Sequence, residues 1–350
     1  MRILFAGSPE IAVPSLKALS EMELAGKDIS LAGILTNPDS KRGRRSQSEP
    51  TDVSAAAFEL DILRKEKGLA AIPQLKPEKL DARAREETSR LGADLLVSFA
   101  YGKFFGPRFL ALFPRGGINI HPSLLPKYRG ACPIPALILG REKESGICIQ
   151  CLSPELDCGN ILAMDRFLLC GRETTLSLSE TVAYRAAQLL KDLLLDFDSK
   201  LCCACSQNGE ATHCREMKKE AGLINWNNSA VSIDAQIRAF TPWPLSFSCC
   251  GKEMLFILEA EVLETEKLAG KTEKPNGESV CSRPQSESLT QSESLPAPGT
   301  VLGTDKTHGI LIQTGDGILA VKKLQWQAKK ALDWKAFCNG ARDFVGSRLG

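Results

Sequence analysis

Long hydrophobic runs are absent from this 350-residue chain. No apolar stretch approaches the length of a membrane span, which excludes a helical membrane protein. Net charge is nearly absent too, at +2. A polyanionic partner would have to be met by a local basic patch, not by a field over the whole molecule. The glycines of a dinucleotide fingerprint are missing: Gly7-Ser8-Pro9 follows the first apolar run, with no second or third glycine in register. That argues against a nicotinamide-dependent dehydrogenase. An export signal is missing, because Met1-Arg2-Ile3-Leu4-Phe5-Ala6-Gly7 is too short for a signal-peptide core and reads as a first strand. Histidine is scarce, with three in the chain. Cysteine is not: there are 13, an odd number, with adjacent pairs at Cys202–Cys203 and Cys249–Cys250. That is a poor disulfide framework, and without an export signal it reads as reduced thiols in a cytoplasm. The group Cys202, Cys203, Cys205, His213 and Cys214 suits zinc poorly, because adjacent cysteines and Cys-x-Cys spacing dominate it; no metal is expected.

The length favours two domains, and 43% hydrophobic with 25% charged residues is the composition of an ordinary soluble protein. Apolar runs predict strands at residues 2–6, 29–35, 94–98, 117–121 and 146–152. Helices are predicted from Val13 (with Leu16, Leu19 and Met22), at 54–67, 82–91, 107–113 and 133–139. Such alternation predicts an α/β fold with a doubly wound, mostly parallel sheet. Ser177-Leu178-Ser179-Glu180 fits a capping box that opens a helix to about Phe197. The expected organisation is a Rossmann-like domain over 1–197, a linker over 198–220 and a small OB-like β-barrel over 221–350. The hairpin turn Thr314-Gly315-Asp316-Gly317 supports the barrel. Residues 264–298 are rich in Glu, Ser, Lys, Pro and Gln and read as a mobile insertion.

The chemistry-bearing stretch is Gly117-Ile118-Asn119-Ile120-His121, followed at once by a Pro- and Gly-bearing loop. Asn119 and His121 are two apart in a strand and share a face. Asp157 lies in the loop after the 146–152 strand. In a parallel sheet neighbouring strand ends share one edge, so that loop is expected to meet His121. A carboxylate there fixes the imidazole tautomer and favours its protonated form. An amide, an imidazole and a carboxylate make a proton-transfer and oxyanion set without a nucleophile, which suits direct attack by a substrate amine. The plainer alternatives, a satisfied strand-end histidine and a loop aspartate bonding its own backbone, remain open from spacing alone.

Several stretches resemble the methionyl-tRNA formyltransferase family in the same order along the chain. They are Met1 to Leu16, Ala100-Tyr101-Gly102, the 119–134 loop with Ser123-Leu124-Leu125-Pro126, and Leu156-Asp157-Cys158-Gly159. Further on come Ile224-Asn225-Trp226, Ile237 to Pro244, Gly299 to Gly303, and Gly346-Ser347-Arg348-Leu349-Gly350. The resemblance implies 10-formyltetrahydrofolate as formyl donor and the amino group of methionyl initiator tRNA as acceptor. It implies a catalytic set of Asn119, His121 and Asp157, and a folate site formed by Ala100, Tyr101, Gly102 and Ser123 to Pro126 (Ser123, Leu124, Leu125, Pro126). The basic run Lys41, Arg42, Arg44 and Arg45 would contact the tRNA acceptor end. Lys322, Lys323, Lys329, Lys330 and Lys335, spaced by Trp326 and Trp334, form a second candidate RNA surface. Where the family usually has threonines before the aspartate loop, this chain has Ser145 and Cys148. A monomer is expected. The same catalytic residues would also serve a folate-dependent formyltransferase acting on a small amine, such as glycinamide ribotide or an amino sugar; the extra β domain is what separates the two.

Overall fold

Residues 1–41, 48–263 and 296–350 are described by a computed structural model, and they fall into two units, Met1–Glu216 and Met217–Gly350. In chain order the first unit contains β1 (Arg2–Gly7), α1 (Val13–Leu24), β2 (Ser30–Leu35), the short strands β3 (Ser40–Lys41) and β4 (Ser48–Glu49), and α2 (Asp52–Glu66). Then come β5 (Gln74–Leu75), α3 (Ala82–Ser89), β6 (Leu95–Phe99), α4 (Pro107–Leu110), β7 (Gly117–His121), β8 (Arg129–Gly130) and α5 (Pro133–Leu139). The unit ends with β9 (Glu144–Cys151), β10 (Ile161–Leu168), α6 (Thr175–Leu195), α7 (Phe197–Cys202) and β11 (His213–Cys214).

The main sheet has the order β10-β9-β7-β6-β1-β2-β5. Pairs from β5 to β7 are parallel, as the alternation of apolar runs predicts. Strand β1 can be apolar throughout because both of its faces are covered. On one face α1 packs against α6. On the other, Tyr101, Phe105, Phe109 and Phe113 form a file of rings 5.4 to 5.8 Å apart over Leu4, Ala6, Ala32 and Leu96. From β1 the chain runs to β2 on one side and later to β6 on the other, so the carboxyl ends of β1 and β6 border a switch-point crevice.

Three expectations are corrected here. Strand β9, predicted to join the sheet in parallel, is antiparallel to β7 and forms a hairpin with β10, which the apolar pattern did not disclose. A strand–helix–strand alternation reads the same along the chain whichever way the last strand runs. The long helix α6 is capped by Thr174, whose hydroxyl accepts from Ser177 N–H while the Ser177 hydroxyl accepts from Thr174 N–H. The box therefore opens three residues earlier than predicted, with Ser177 at N3 rather than at the cap. The segment expected as a linker is folded onto the first unit as far as Glu216: β11 pairs with β8, and Cys205 bridges Ile161.

The second unit contains α8 (Ala230–Ala239), β12 (Ser246–Cys250), β13 (Glu253–Leu263), β14 (Val301–Asp305), β15 (Gly309–Gln313), β16 (Ile318–Trp326), β17 (Leu332–Asp333) and α9 (Trp334–Gly340). Its strands are antiparallel in the order β12-β13-β16-β15-β14, with β17 added on β16. Both outer edges are covered by the carboxyl-terminal segment. Cys249 and Gly350 exchange backbone hydrogen bonds at 3.0 Å, while Val301 N–H donates to Ser347 O and Leu349 N–H to Gly299 O at 2.9 Å. The carboxyl-terminal segment thus pairs with the end of β12 and with the start of β14. Helix α8 buries Ala230, Ile233 and Ile237 against Trp226, Leu255 and Ile257. The expected insertion lies, up to residue 295, outside the described residues.

Candidate active site

Strand β7 carries Asn119 and His121 on one face, and the antiparallel register sets Gln150 opposite Asn119 and Cys148 opposite His121. Directly opposed residues point the same way, so these four side chains share one surface. His121 is 3% exposed. Its Nε2 lies 2.9 Å from the Tyr128 carbonyl oxygen. A carbonyl only accepts, so Nε2 carries the proton of the neutral ring and Nδ1 presents its lone pair. Nδ1 is 3.5 Å from Asp157 Oδ2. The ring is therefore oriented by a backbone carbonyl on a residue at φ +60°, not by Asp157 as the sequence suggested. Burial holds His121 below the ordinary imidazole value of 6.5, against the opposing pull of Asp157 and the Tyr128 carbonyl. The expectation that the carboxylate would favour the protonated ring is thus reversed by desolvation.

Asp157 does reach His121, but not along a shared strand edge. Cys151, at the end of β9, lies opposite Ile118 near the start of β7. The 152–160 loop folds back over the sheet face instead, with Asp157 at φ +54°. Gly159 permits this return, because a Cβ there would sit 1.8 Å from the Cys151 carbonyl oxygen. Oδ1 of Asp157 accepts from Gln150 Nε2 at 2.8 Å and from Asn119 Nδ2 at 3.4 Å. Oδ2 accepts from the Gly130 N–H at 2.8 Å. Gly130 lies at φ +117°, and a Cβ on it would meet the Cys214 carbonyl oxygen at 2.2 Å.

Asn119, His121 and Asp157 line a cavity of about 630 Å³ together with Ala100, Tyr101 and Gly102. Tyr101 stacks on Phe105, and its buried hydroxyl has no hydrogen-bond partner among the described residues. The expected folate-lining residues Ser123, Leu124, Leu125 and Pro126 do not border this cavity. Leu124, Leu125 and Pro126 border a separate pocket of about 220 Å³. Ser123 is fully buried and donates to the Lys127 carbonyl at 2.7 Å, so it shapes the loop. A tight turn after His121, with Ser123 N–H on the His121 carbonyl, takes this segment away from the cavity wall.

Lys41 is exposed at the end of β3, whereas Arg42, Arg44 and Arg45 lie outside the described residues. In the second unit Lys323, Lys329, Lys330 and Lys335 are exposed. Lys322 is engaged by Glu261 at 2.9 Å, and Trp326 stacks on Phe337 in the core, so that ring is not a platform for a base. Cys214 turns its thiol to the Tyr128 and Arg129 carbonyls. Among the described residues no group of three or more His, Cys, Asp or Glu side chains is placed to hold a metal ion. Among them, too, no helix is long and apolar enough to cross a membrane.

Sequence reasoning missed Gln150, which is buried and borders the cavity. The available signal was a single amide in the otherwise apolar run Ile147-Cys148-Ile149-Gln150. The Tyr128 carbonyl and the Gly130 N–H were also missed; backbone groups carry no side-chain signature.

Residues 1–194 match the formyl transferase family, and residues 216–342 match the formyl transferase C-terminal domain. A methionyl-tRNA formyltransferase of Treponema denticola is 46% identical over 347 residues, covering 99% of this chain and 98% of that protein. The chain belongs to the methionyl-tRNA formyltransferase family. A second member, from Treponema pallidum, is 38% identical over 355 residues, 100% of this chain and 99% of that protein. The family fold is also seen in the solved structure of the methionyl-tRNA formyltransferase of Clostridium thermocellum, with a TM-score of 0.51 and 16% identity over 75% of this chain and 94% of that one. HypX of Aquifex aeolicus in complex with tetrahydrofolic acid shares the fold at a TM-score of 0.59 and 15% identity, over 99% of this chain and 48% of that one.

Proposed function

We propose that this protein transfers the formyl group of 10-formyltetrahydrofolate to the amino group of methionyl initiator tRNA, acting as a monomer in the cytoplasm. The observation that carries the chemistry is the placement of buried His121 on the cavity wall beside Asn119, with Nε2 at the Tyr128 carbonyl and Nδ1 3.5 Å from Asp157 Oδ2. The amine lone pair forms the new bond to the formyl carbon, and the carbonyl electron pair moves onto oxygen. The amide of Asn119 donates to that oxyanion. The amine proton passes to Nδ1, and the imidazolium so formed is stabilised by the Asp157 carboxylate. Collapse breaks the bond to N10 of the folate, which takes the proton from His121. Burial pushes the Cys151 thiol on the cavity wall up, which makes that group a poor nucleophile. Ala100, Tyr101 and Gly102 belong to the donor's side of the cavity in this reading. Lys41, with Arg42, Arg44 and Arg45, would meet the acceptor-stem phosphates, and the exposed lysines of the second unit are a separate candidate RNA surface.

The deciding assay gives purified protein a labelled formyl donor and compares methionyl initiator tRNA, elongator tRNA and free glycinamide ribotide. Transfer to initiator tRNA alone is expected. Transfer to the ribotide would replace this reading with the small-amine one.

A further inference from the structure

Gln150 and Gln207 have no part in the proton transfers above, yet their amides form a chain with one direction. The Arg129 guanidinium donates from Nε at 3.1 Å and from Nη2 at 2.6 Å to Gln207 Oε1. Gln207 Nε2 shares its two hydrogens among three acceptors, Gln150 Oε1 at 3.1 Å and the carbonyls of Asp157 at 2.8 Å and Gly159 at 2.9 Å. Gln150 Nε2 then donates to Asp157 Oδ1 at 2.8 Å. Each acceptor faces a donor, so neither amide can be flipped without setting like groups against each other. The carbonyl end of each amide points to the cation and the N–H end to the carboxylate, which lets the bonds polarise one another. Gln150 is 1% exposed, so loss of its amide could not be made good by bulk water.

We propose that Gln150 is a positioning residue for Asp157: through it, Gln207 and Arg129 fix which carboxylate oxygen faces His121. With Oδ1 occupied by Gln150, Oδ2 is the oxygen left toward Nδ1, shared with the Gly130 N–H. The chain also ties the 152–160 return to the strand beneath it, because Gln207 holds two of that loop's carbonyls. The inference rests on the formyl-transfer reading and assigns Gln150 a part in turnover rather than in substrate binding.

The test is steady-state kinetics on the full-length Gln150→Leu variant, with Gln207→Leu as a second cut that leaves Gln150 in place. The expected result is a kcat lower by about tenfold or more, as for a misplaced catalytic group. KM for donor and tRNA stays within about twofold. The acid limb of the kcat profile, set by His121, moves to lower pH, because a displaced Asp157 carboxylate raises the imidazole less. In an Asp157→Asn background the same substitution should cost little more. An unchanged kcat and pH profile in both variants, or a full additive loss in the Asp157→Asn background, overturns the inference. Should Gln150→Leu fail to fold, Gln207→Leu decides by the same criteria. A wild-type protein that transfers no formyl group sinks the functional reading itself, and the inference with it. An active wild type with indifferent variants sinks only the inference.

Discussion

Asn119 and Gln150 stand opposite one another in the antiparallel β7–β9 ladder, and both of their amides reach Oδ1 of Asp157. Two neighbouring strands thus supply, from one face, the groups that surround a carboxylate brought in by a distant loop. The bond from Gln150 is short at 2.8 Å, and that from Asn119 is long at 3.4 Å. Asn119 is therefore the amide less committed to the resting network and freer to turn to a substrate oxygen.

Removing any one of the three polar side chains should cripple turnover. Asn119→Ala, His121→Ala and Asp157→Ala are each expected to lower kcat by roughly a hundredfold or more, the usual cost of an oxyanion donor or an acid–base group. Melting temperatures should stay near that of the wild type. Wild-type rates in the purified variants would reject the catalytic assignment.

The pH profile follows from the burial of His121. The base must be neutral, and desolvation holds its proton affinity below the ordinary 6.5. The acid limb of kcat/KM should accordingly lie below pH 6.5, with activity lost as pH falls through the folded-state value. Stability shares the sign: below pH 6.5 the unfolded imidazole binds more protons than the folded one, so the fold weakens as the solution is acidified. His121→Asn should remove that component from melts recorded across pH. An acid limb above 6.5 would show that the carboxylate outweighs burial.

Gly130→Ala tests the backbone donor. The residue lies at φ +117°, and the added methyl would meet the Cys214 carbonyl oxygen at 2.2 Å. Strain of about 1–3 kcal/mol is expected, read as a lower melting temperature. Displacement of the Gly130 N–H from Asp157 should lower kcat with it. An alanine variant with wild-type stability and rate would remove the loop from the site's construction.

The tRNA interface is best read through salt. Replacing Lys323, Lys329 and Lys330 by Gln, and separately Arg42, Arg44 and Arg45, should raise KM for tRNA while leaving KM for the formyl donor alone. The slope of log affinity against log salt should flatten by about one for each phosphate that is no longer neutralised. An unchanged slope in both sets would exclude these residues from the interface.

The parts of the site legible in the sequence are those where local pattern decides the outcome. Strand β7 and helix α5 begin and end where predicted, because Gly117 opens an apolar run and Pro133 stands at a helix start. Strand β10 was illegible because Asp165 and Arg166 interrupt its apolar pattern on an edge strand. Helix α8 was hidden because its buried residues are two isoleucines, three alanines and Asp234, a weak apolar stripe among Ser, Asp and Gln. The meeting of Asp157 with His121 was anticipated for the wrong reason: strand direction is a non-local property, and the actual route depends on a left-handed aspartate and on Gly159. Gln150 and Gln207 acquire meaning only from each other's position, which spacing along the chain does not encode.

The last residues of the second unit act as a zip. Ser347 to Gly350 satisfy the main chain of β12 on one side and of residues 299–301 on the other. Trimming them would lay bare two raw strand edges at once, each a template for another copy's backbone. Loss of so short a tail should announce itself in light scattering, as self-association, before it is noticed in any assay of turnover.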